Sequence, residues 1–203
     1  TGGFLNKDAY EVRSIFIGGG TPSLLSGEQI KRIMLAVQQF FFIKEEAEIT
    51  MEANPGTLTM ENLFICRKAG VNRLSMGLQS ADDSCLHLLG RIHTWEEFLK
   101  SYELARKAGF ENINIDLMSG LPGQTMSSYK RTLEKVIALY PEHISAYSLI
   151  LEEGTPFYKS KEIRKKIPNE ELDREMYQFT KDILAENGYE RYEISNYAIR
   201  GKE

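Results

Sequence analysis

The sequence predicts an α/β protein built on a parallel sheet. Short apolar segments alternate with segments in which apolar residues recur at helical spacing. Such alternation favours parallel strands joined by right-handed crossovers. The strand candidates are Ser14–Ile17, Glu48–Glu52, Arg73–Gly77, Asn112–Leu117, Ile144–Ile150 and Arg191–Ile194. Six short strands of this kind suit either a partial barrel or an open doubly wound sheet.

Helices are predicted between the strands by apolar residues at i, i+3, i+4 and i+7. Four such patterns run over residues 30–41, 95–105, 129–140 and 172–183. Ser26 and Gln29 have the spacing of a capping box, so we expect the first of these helices to begin just after Ser26. The longest stretch without periodicity is residues 152–168, which we interpret as an excursion from the alternating pattern.

Composition excludes several classes of protein. The chain has 203 residues, 42% of them hydrophobic and 27% charged, with a formal net charge of −4. These values fit a globular domain and do not favour a nucleic-acid partner, and no stretch is apolar enough for a transmembrane segment. The only two cysteines, Cys66 and Cys85, are predicted to be small core residues in a reducing, cytoplasmic environment. They and the three histidines have no metal-ligand spacing, so no metal ligands are assigned.

A run of three glycines, Gly18–Gly20, follows the first strand and precedes Thr21 and Pro22. Glycine at the end of a strand lets a ligand approach the backbone, because no Cβ stands in the way. Sites in α/β proteins lie at the carboxyl ends of parallel strands. A simple turn would also explain the glycines, so this feature needs support from the other strand ends.

Polar residues at the other strand ends give that support. Glu52 ends the second strand, Gln79 follows the third and Asp116 lies in the fourth. A lone carboxylate in an apolar strand is costly to bury, so Glu52 and Asp116 suggest binding of an amine or of ribose hydroxyls. Arg91, in a loop before a helix, is suited to a carboxylate, although a surface role explains it equally well.

Several motifs together resemble those of radical S-adenosylmethionine (SAM) proteins. More narrowly, the chain resembles the oxygen-independent coproporphyrinogen III oxidase-like family, and within it the heme-chaperone (HemW) branch. The segments that carry the resemblance are residues 16–23 (FIGGGTPS), 52–57 (EANPGT), 73–80 (RLSMGLQS), 89–93 (LGRIH), 116–125 (DLMSGLPGQT), 143–149 (HISAYSL), 153–156 (EGTP) and 192–198 (YEISNYA).

This resemblance implies an α/β fold of the partial (β/α)6 radical SAM-type barrel, with the first strand and the cluster loop missing. It implies that residues 1–203 are a single core-domain fragment, truncated at both ends. About 190–203 would lead into a C-terminal domain that the chain lacks. The resemblance also implies a [4Fe-4S] cluster in the intact parent, whose ligand cysteines are absent from this chain.

The resemblance carries site residues over position by position. Gly19, Gly20 and Thr21 would lie along the methionine end of SAM, and Arg91 would take its carboxylate. The other SAM-contacting positions would be Glu52, Gln79 and Asp116. The implied partners are SAM, a porphyrinogen or heme, and an electron donor such as flavodoxin or ferredoxin.

Three functions stay open at this point. The first is a radical SAM oxidoreductase that decarboxylates porphyrinogen propionates as the intact parent, the fragment alone being inactive. The second is a heme-binding chaperone without oxidase activity, and the third is an unrelated phosphate-binding α/β enzyme. The third is the weakest, because no P-loop lysine follows the glycines.

Overall fold

The structure of the protein is a computed structural model that describes residues 10–203. The first nine residues of the predicted domain, 1–9, lie outside the described residues. The strands are β1 Glu11–Ile17, β2 Phe42–Ala53, β3 Arg73–Gln79, β4 Ile113–Ser119, β5 His143–Ser148, β6 Tyr189–Arg191 and β7 Asn196–Ile199. The helices are α1 Gly27–Phe40, α2 Met60–Lys68, α3 Asp83–Leu88, α4 Trp95–Lys107, α5 Met126–Ile137, α6 Pro156–Lys159, α7 Lys161–Arg164 and α8 Glu170–Glu186. The two short helices α6 and α7 occupy the stretch without periodicity.

The strands are hydrogen-bonded in the order β1-β2-β3-β4-β5-β7-β6. The pairs β1–β2, β2–β3 and β4–β5 are parallel, as the alternation of strands and helices predicted. The pairs β5–β7 and β6–β7 are antiparallel. The first five strand candidates are therefore confirmed with shifted ends, while the end of the chain adds a hairpin to the parallel part.

The sixth strand candidate, Arg191–Ile194, is wrong. β6 ends at Arg191 and β7 begins at Asn196, and the residues between them link two antiparallel strands. The reason is local hydrogen bonding by Glu193, whose Oε2 accepts from the Ser195 N–H at 3.2 Å and from Asn196 Nδ2 at 3.0 Å. A side chain that bonds nearby backbone in this way competes with a strand ladder.

The described chain divides into two compact units. The first takes in the chain up to Gly77 together with Glu97–Ile113, and the second takes in Leu78–Glu96 with Asn114–Glu203. Fully buried side chains of the first unit include Ile30, Met34, Leu63, Leu74, Phe98 and Phe110. Those of the second include Leu86, Leu117, Tyr129, Leu133, Met176 and Tyr197.

Helix α1 begins as predicted. The Ser26 side chain accepts from the backbone N–H of Gln29, and the Gln29 side chain accepts from the backbone N–H of Ser26. This reciprocal capping box satisfies two amide groups that the first turn would leave unpaired. It fixes the point at which the chain leaves the glycine segment and enters the helix.

Both cysteines are core residues, as predicted. Cys66 on α2 is 2% exposed and Cys85 on α3 is 7% exposed, and both are free thiols. Burial raises the pKa of Cys66 to about 11, and burial followed by the charge of Asp82 raises that of Cys85. None of the helices in residues 10–203 is long and apolar enough to cross a membrane.

Candidate functional site

The glycine segment after β1 depends on glycine at each position. Gly19 and Gly20 have φ angles of 85° and 64°, which disfavour residues with a side chain. A Cβ on Gly18 would lie 2.6 Å from Cε1 of Phe16 and 3.1 Å from the carboxyl carbon of Glu52. The backbone is therefore exposed where a ligand would approach, and it lies directly against Glu52.

Glu52 holds this segment through one hydrogen bond. Its Oε2 accepts from the Gly19 N–H at 3.0 Å. Parallel pairing of β1 with β2 places Ile17 opposite Met51, so the glycines begin beside Glu52, the last residue but one of β2. The structure thus brings Gly19 and Glu52 together within the first unit, while their binding role stays a prediction.

Four small polar residues join the loop after the glycines to the loop after β2. Ser23 Oγ, 5% exposed, accepts from the Asn54 N–H at 3.0 Å and from the Thr57 hydroxyl at 2.7 Å. Asn54 Nδ2 donates to Thr21 Oγ1 at 3.2 Å. Sequence reasoning assigned a site role to Thr21 alone among these residues. The recurrence of small polar side chains in both loops was the signal that could have found the others.

Gln79 ends β3 in a backbone conformation that is uncommon for a residue with a side chain. Its φ angle is 72°, and its side chain is 3% exposed. The Tyr147 hydroxyl on β5 donates to Gln79 Oε1 at 2.9 Å. Strained backbone of this kind persists where surrounding contacts enforce it and is concentrated at functional sites. Tyr147 was part of a recognised motif, but sequence reasoning did not assign it to the site.

Arg91 and Asp116 lie close enough to Tyr147 for their charges to shift the pKa of its hydroxyl. Burial raises the pKa of the Tyr147 hydroxyl and the negative charge of Asp116 raises it further, while the hydrogen bond with Gln79 and the positive charge of Arg91 lower it. Arg91 follows α3, where its backbone N–H donates to the Leu86 carbonyl at 2.9 Å. The second unit thus gathers Gln79, Arg91 and Asp116 around one tyrosine.

Asp116 is fixed by its neighbour on β4. Asn114 Nδ2 donates to Asp116 Oδ1 at 2.7 Å, and both side chains lie on the same face of the strand. Register places Asp116 opposite Ser145 and Asn114 opposite His143 on β5. The carboxylate therefore lies in a row of polar side chains that sequence reasoning did not find.

The two groups of residues offer complementary chemistry. In the first unit, exposed glycine backbone stands beside the Glu52 carboxylate, which suits an amine. In the second unit, an amide, a carboxylate and a guanidinium suit hydroxyl and carboxylate groups. SAM carries an amine, a carboxylate and ribose hydroxyls, so each group of side chains, taken by itself, fits one part of that cofactor.

The chain's own thiols do not fit an iron–sulfur cluster. A cluster that leaves one iron for SAM needs three cysteine thiolates, whereas Cys66 and Cys85 are buried on separate helices with raised pKa values. Among residues 10–203, no three His, Cys, Asp or Glu side chains are grouped so as to hold a metal ion.

Comparison with known proteins decides the family. A sequence model of the radical SAM superfamily matches residues 5–136. The chain belongs to the radical SAM superfamily. The expected relationship is thus confirmed, and the third function considered from sequence, an unrelated phosphate-binding enzyme, no longer applies.

Within the superfamily, this radical SAM chain is similar to two heme chaperones. It is 41% identical to heme chaperone HemW of Lactococcus lactis over 201 residues, covering 98% of this chain and 53% of the relative. It is 42% identical to HemW of Bacillus subtilis over 195 residues, covering 95% of this chain and 52% of the relative. The chain thus spans about half the length of the curated relatives it matches.

Among solved structures, the radical SAM chain is similar to coproporphyrinogen III oxidase (HemN) of Escherichia coli, which is described as a radical SAM enzyme. The TM-score is 0.82 at 30% sequence identity, over 95% of this chain and 44% of that one. The radical SAM-type α/β fold predicted from the sequence is therefore confirmed.

Proposed function

We propose that the whole protein is a heme-binding chaperone that keeps a SAM site, and not a coproporphyrinogen oxidase. The observation that carries this proposal is the 41–42% identity with two proteins named as heme chaperones, against 30% with the oxidase. The oxidase was the first function expected from the sequence. The relatives favour the alternative, and the fold is compatible with either.

The proposed SAM contacts follow the chemistry of each side chain. Glu52 accepts from the SAM amine while its Oε2 also holds Gly19, and Arg91 pairs with the SAM carboxylate. Gln79 and Asp116 bind ribose hydroxyls, and Gly19, Gly20 and Thr21 lie along the methionine end. When bound, SAM supplies the reactive group in proteins of this superfamily, and the polypeptide orients it.

Two assays on the full-length protein separate chaperone from oxidase. Heme titration followed by absorbance should give saturable, stoichiometric binding. Anaerobic incubation with coproporphyrinogen, SAM and a reductant should yield no vinyl product by mass spectrometry. Decarboxylation that depends on SAM would overturn the chaperone assignment in favour of the oxidase, and absence of heme binding would also contradict it.

The oxidase stays as a second candidate because of one observation, the TM-score of 0.82 with HemN over 95% of this chain. If the oxidase reaction is found, we expect it to need an electron donor such as flavodoxin or ferredoxin. We also propose a reducing, cytoplasmic location for the whole protein, supported by two buried free thiols.

A further inference from the structure

A buried imidazole lies between Asn114 and Tyr192 in the second unit. His143 begins β5 and is 2% exposed. Its Nδ1 lies 2.6 Å from Asn114 Oδ1, and its Nε2 lies 2.7 Å from the Tyr192 hydroxyl. Tyr192 follows β6 in the link to β7, and its ring stands edge-on to the imidazole with centroids 5.6 Å apart. The proposed SAM contacts do not involve this histidine.

The contact with Asp116 shows which way the Asn114 amide is oriented. Asn114 Nδ2 donates to Asp116 Oδ1 at 2.7 Å, and a flipped amide would place two oxygens against each other there. Asn114 Oδ1 therefore points away from the carboxylate, toward His143. The Ser145 hydroxyl also lies 3.1 Å from this oxygen.

The amide in turn fixes the imidazole. Because Asn114 Oδ1 only accepts, His143 Nδ1 carries the proton and donates to it. In the neutral ring Nε2 then has a lone pair and accepts from the Tyr192 hydroxyl. Each donor in the series Tyr192, His143, Asn114 points toward Asp116, the arrangement in which hydrogen bonds polarise one another.

We propose that His143 is a positioning residue that holds Asp116 for its ligand through Asn114. This inference rests on the proposed function, in which Asp116 binds SAM. The imidazole acts at a distance: it fixes the amide, and the amide fixes the rotamer of the carboxylate. Tyr192 is 50% exposed, so the series runs from the β6–β7 link to the carboxylate on β4.

Two amide substitutions separate the two ring nitrogens. His143→Asn places a donor near the Nδ1 position and keeps the bond to Asn114. His143→Gln reaches the Nε2 position and loses the bond to Asn114. In the full-length protein, calorimetric titration should show SAM affinity within threefold of wild type for the Asn variant and weakened about tenfold for the Gln variant. His87→Asn, at an exposed position on α3, serves as the matched control with wild-type affinity.

The tautomer provides a readout that does not depend on SAM. Nitrogen-15 NMR of the imidazole, assigned by the signal missing in the Asn variant, should show Nδ1 protonated. Protonation at Nε2, or equal SAM affinities for the two folded variants, would overturn the inference. If wild-type protein fails to bind SAM, the proposed function fails, and the tautomer still decides whether His143 donates to Asn114. If neither variant folds, as judged by circular dichroism, the imidazole is assigned from its contact with the Tyr192 ring, and the wild-type tautomer decides alone.

Discussion

The hydroxyl of Tyr147 donates to the side-chain oxygen of Gln79 at 2.9 Å, and Gln79 has a φ angle of 72°. The two residues are 68 positions apart in the chain. The bond directs a buried amide at the end of β3 while its backbone stays in a conformation that costs about 1–2 kcal/mol for a residue with a Cβ. The backbone of Gln79 is thus strained, while its side chain is held by the hydrogen bond with Tyr147.

Replacing Gln79 should reveal the backbone cost. We expect Gln79→Gly to be more stable than Gln79→Ala by about 1–2 kcal/mol, because both lose the bond to Tyr147 and only glycine relieves the φ angle. Urea unfolding measured by circular dichroism gives the difference. An alanine variant as stable as the glycine variant would show that the φ angle stores no strain.

Glu52 should contribute to SAM affinity through its charge. Glu52→Gln keeps an oxygen to accept from Gly19, so the glycine segment should stay in place. Loss of a charged hydrogen bond with the SAM amine should cost about 1.5–3 kcal/mol, or about tenfold to a hundredfold in affinity. Calorimetric titration of the full-length protein measures this.

A matched control for Glu52 is Glu28→Gln. Glu28 is exposed on α1 and pairs with Lys31. The control should bind SAM as wild type does. Equal affinity in the Glu52 variant would remove this carboxylate from the proposed site.

Arg91→Lys tests the paired contact with the SAM carboxylate. Lysine keeps the charge and cannot make two parallel hydrogen bonds, so SAM affinity should fall about tenfold to a hundredfold. The fold should survive, because a replacement in a loop usually changes stability by less than about 0.5 kcal/mol. Arg131→Lys, exposed on α5, is the control. SAM binding unchanged by the Arg91 variant would assign Arg91 to the surface.

Stability should fall at high pH because of Cys66. Its pKa rises from the usual 9.0 to about 11 in the folded state, so the folded protein prefers the neutral thiol. The stabilisation is complete below about pH 9 and is lost as the pH rises toward about 11, a change of about 2–3 kcal/mol. The difference in unfolding free energy between wild type and Cys66→Val should be constant below this window, and within it wild type should lose about 2–3 kcal/mol relative to the valine variant. A difference that stays constant through the window as well would contradict the assignment.

Part of the site could be predicted from where the strands end in the sequence. The contact between Gly19 and Glu52 follows from two adjacent parallel strands whose carboxyl ends share an edge. The relation of Asn114 to His143 was beyond this reasoning, because it depends on cross-strand register rather than on where a strand ends. The SAM-binding roles assigned to the site residues stay predictions.

The sheet edges were less predictable than its middle. β2 begins at Phe42, six residues before the predicted start, because Phe42 and Ile43 pair with Glu11 and Val12 of β1. Lys44 adds ion pairs with Glu11 at 3.1 Å and with Glu46 at 3.4 Å. The charged residues within 42–47 interrupt the apolar alternation that predicts a strand, so the sequence did not indicate this part of β2. At the other edge, Glu193 accepts hydrogen bonds from Ser195 and Asn196, and the residues predicted as a sixth strand link β6 to β7 instead.

The position of β7 between β5 and β6 constrains the order in which the protein forms during synthesis. β6 emerges from the ribosome before β7, yet in the described chain its ladder partner is β7, which in turn pairs with β5. β6 can therefore form its ladder only after β7 has been synthesised. Tyr192 lies between these strands, so we expect its bond to His143 to form only when β6 and β7 have paired. Nascent chains that end before Asn196 should leave this histidine open to solvent exchange.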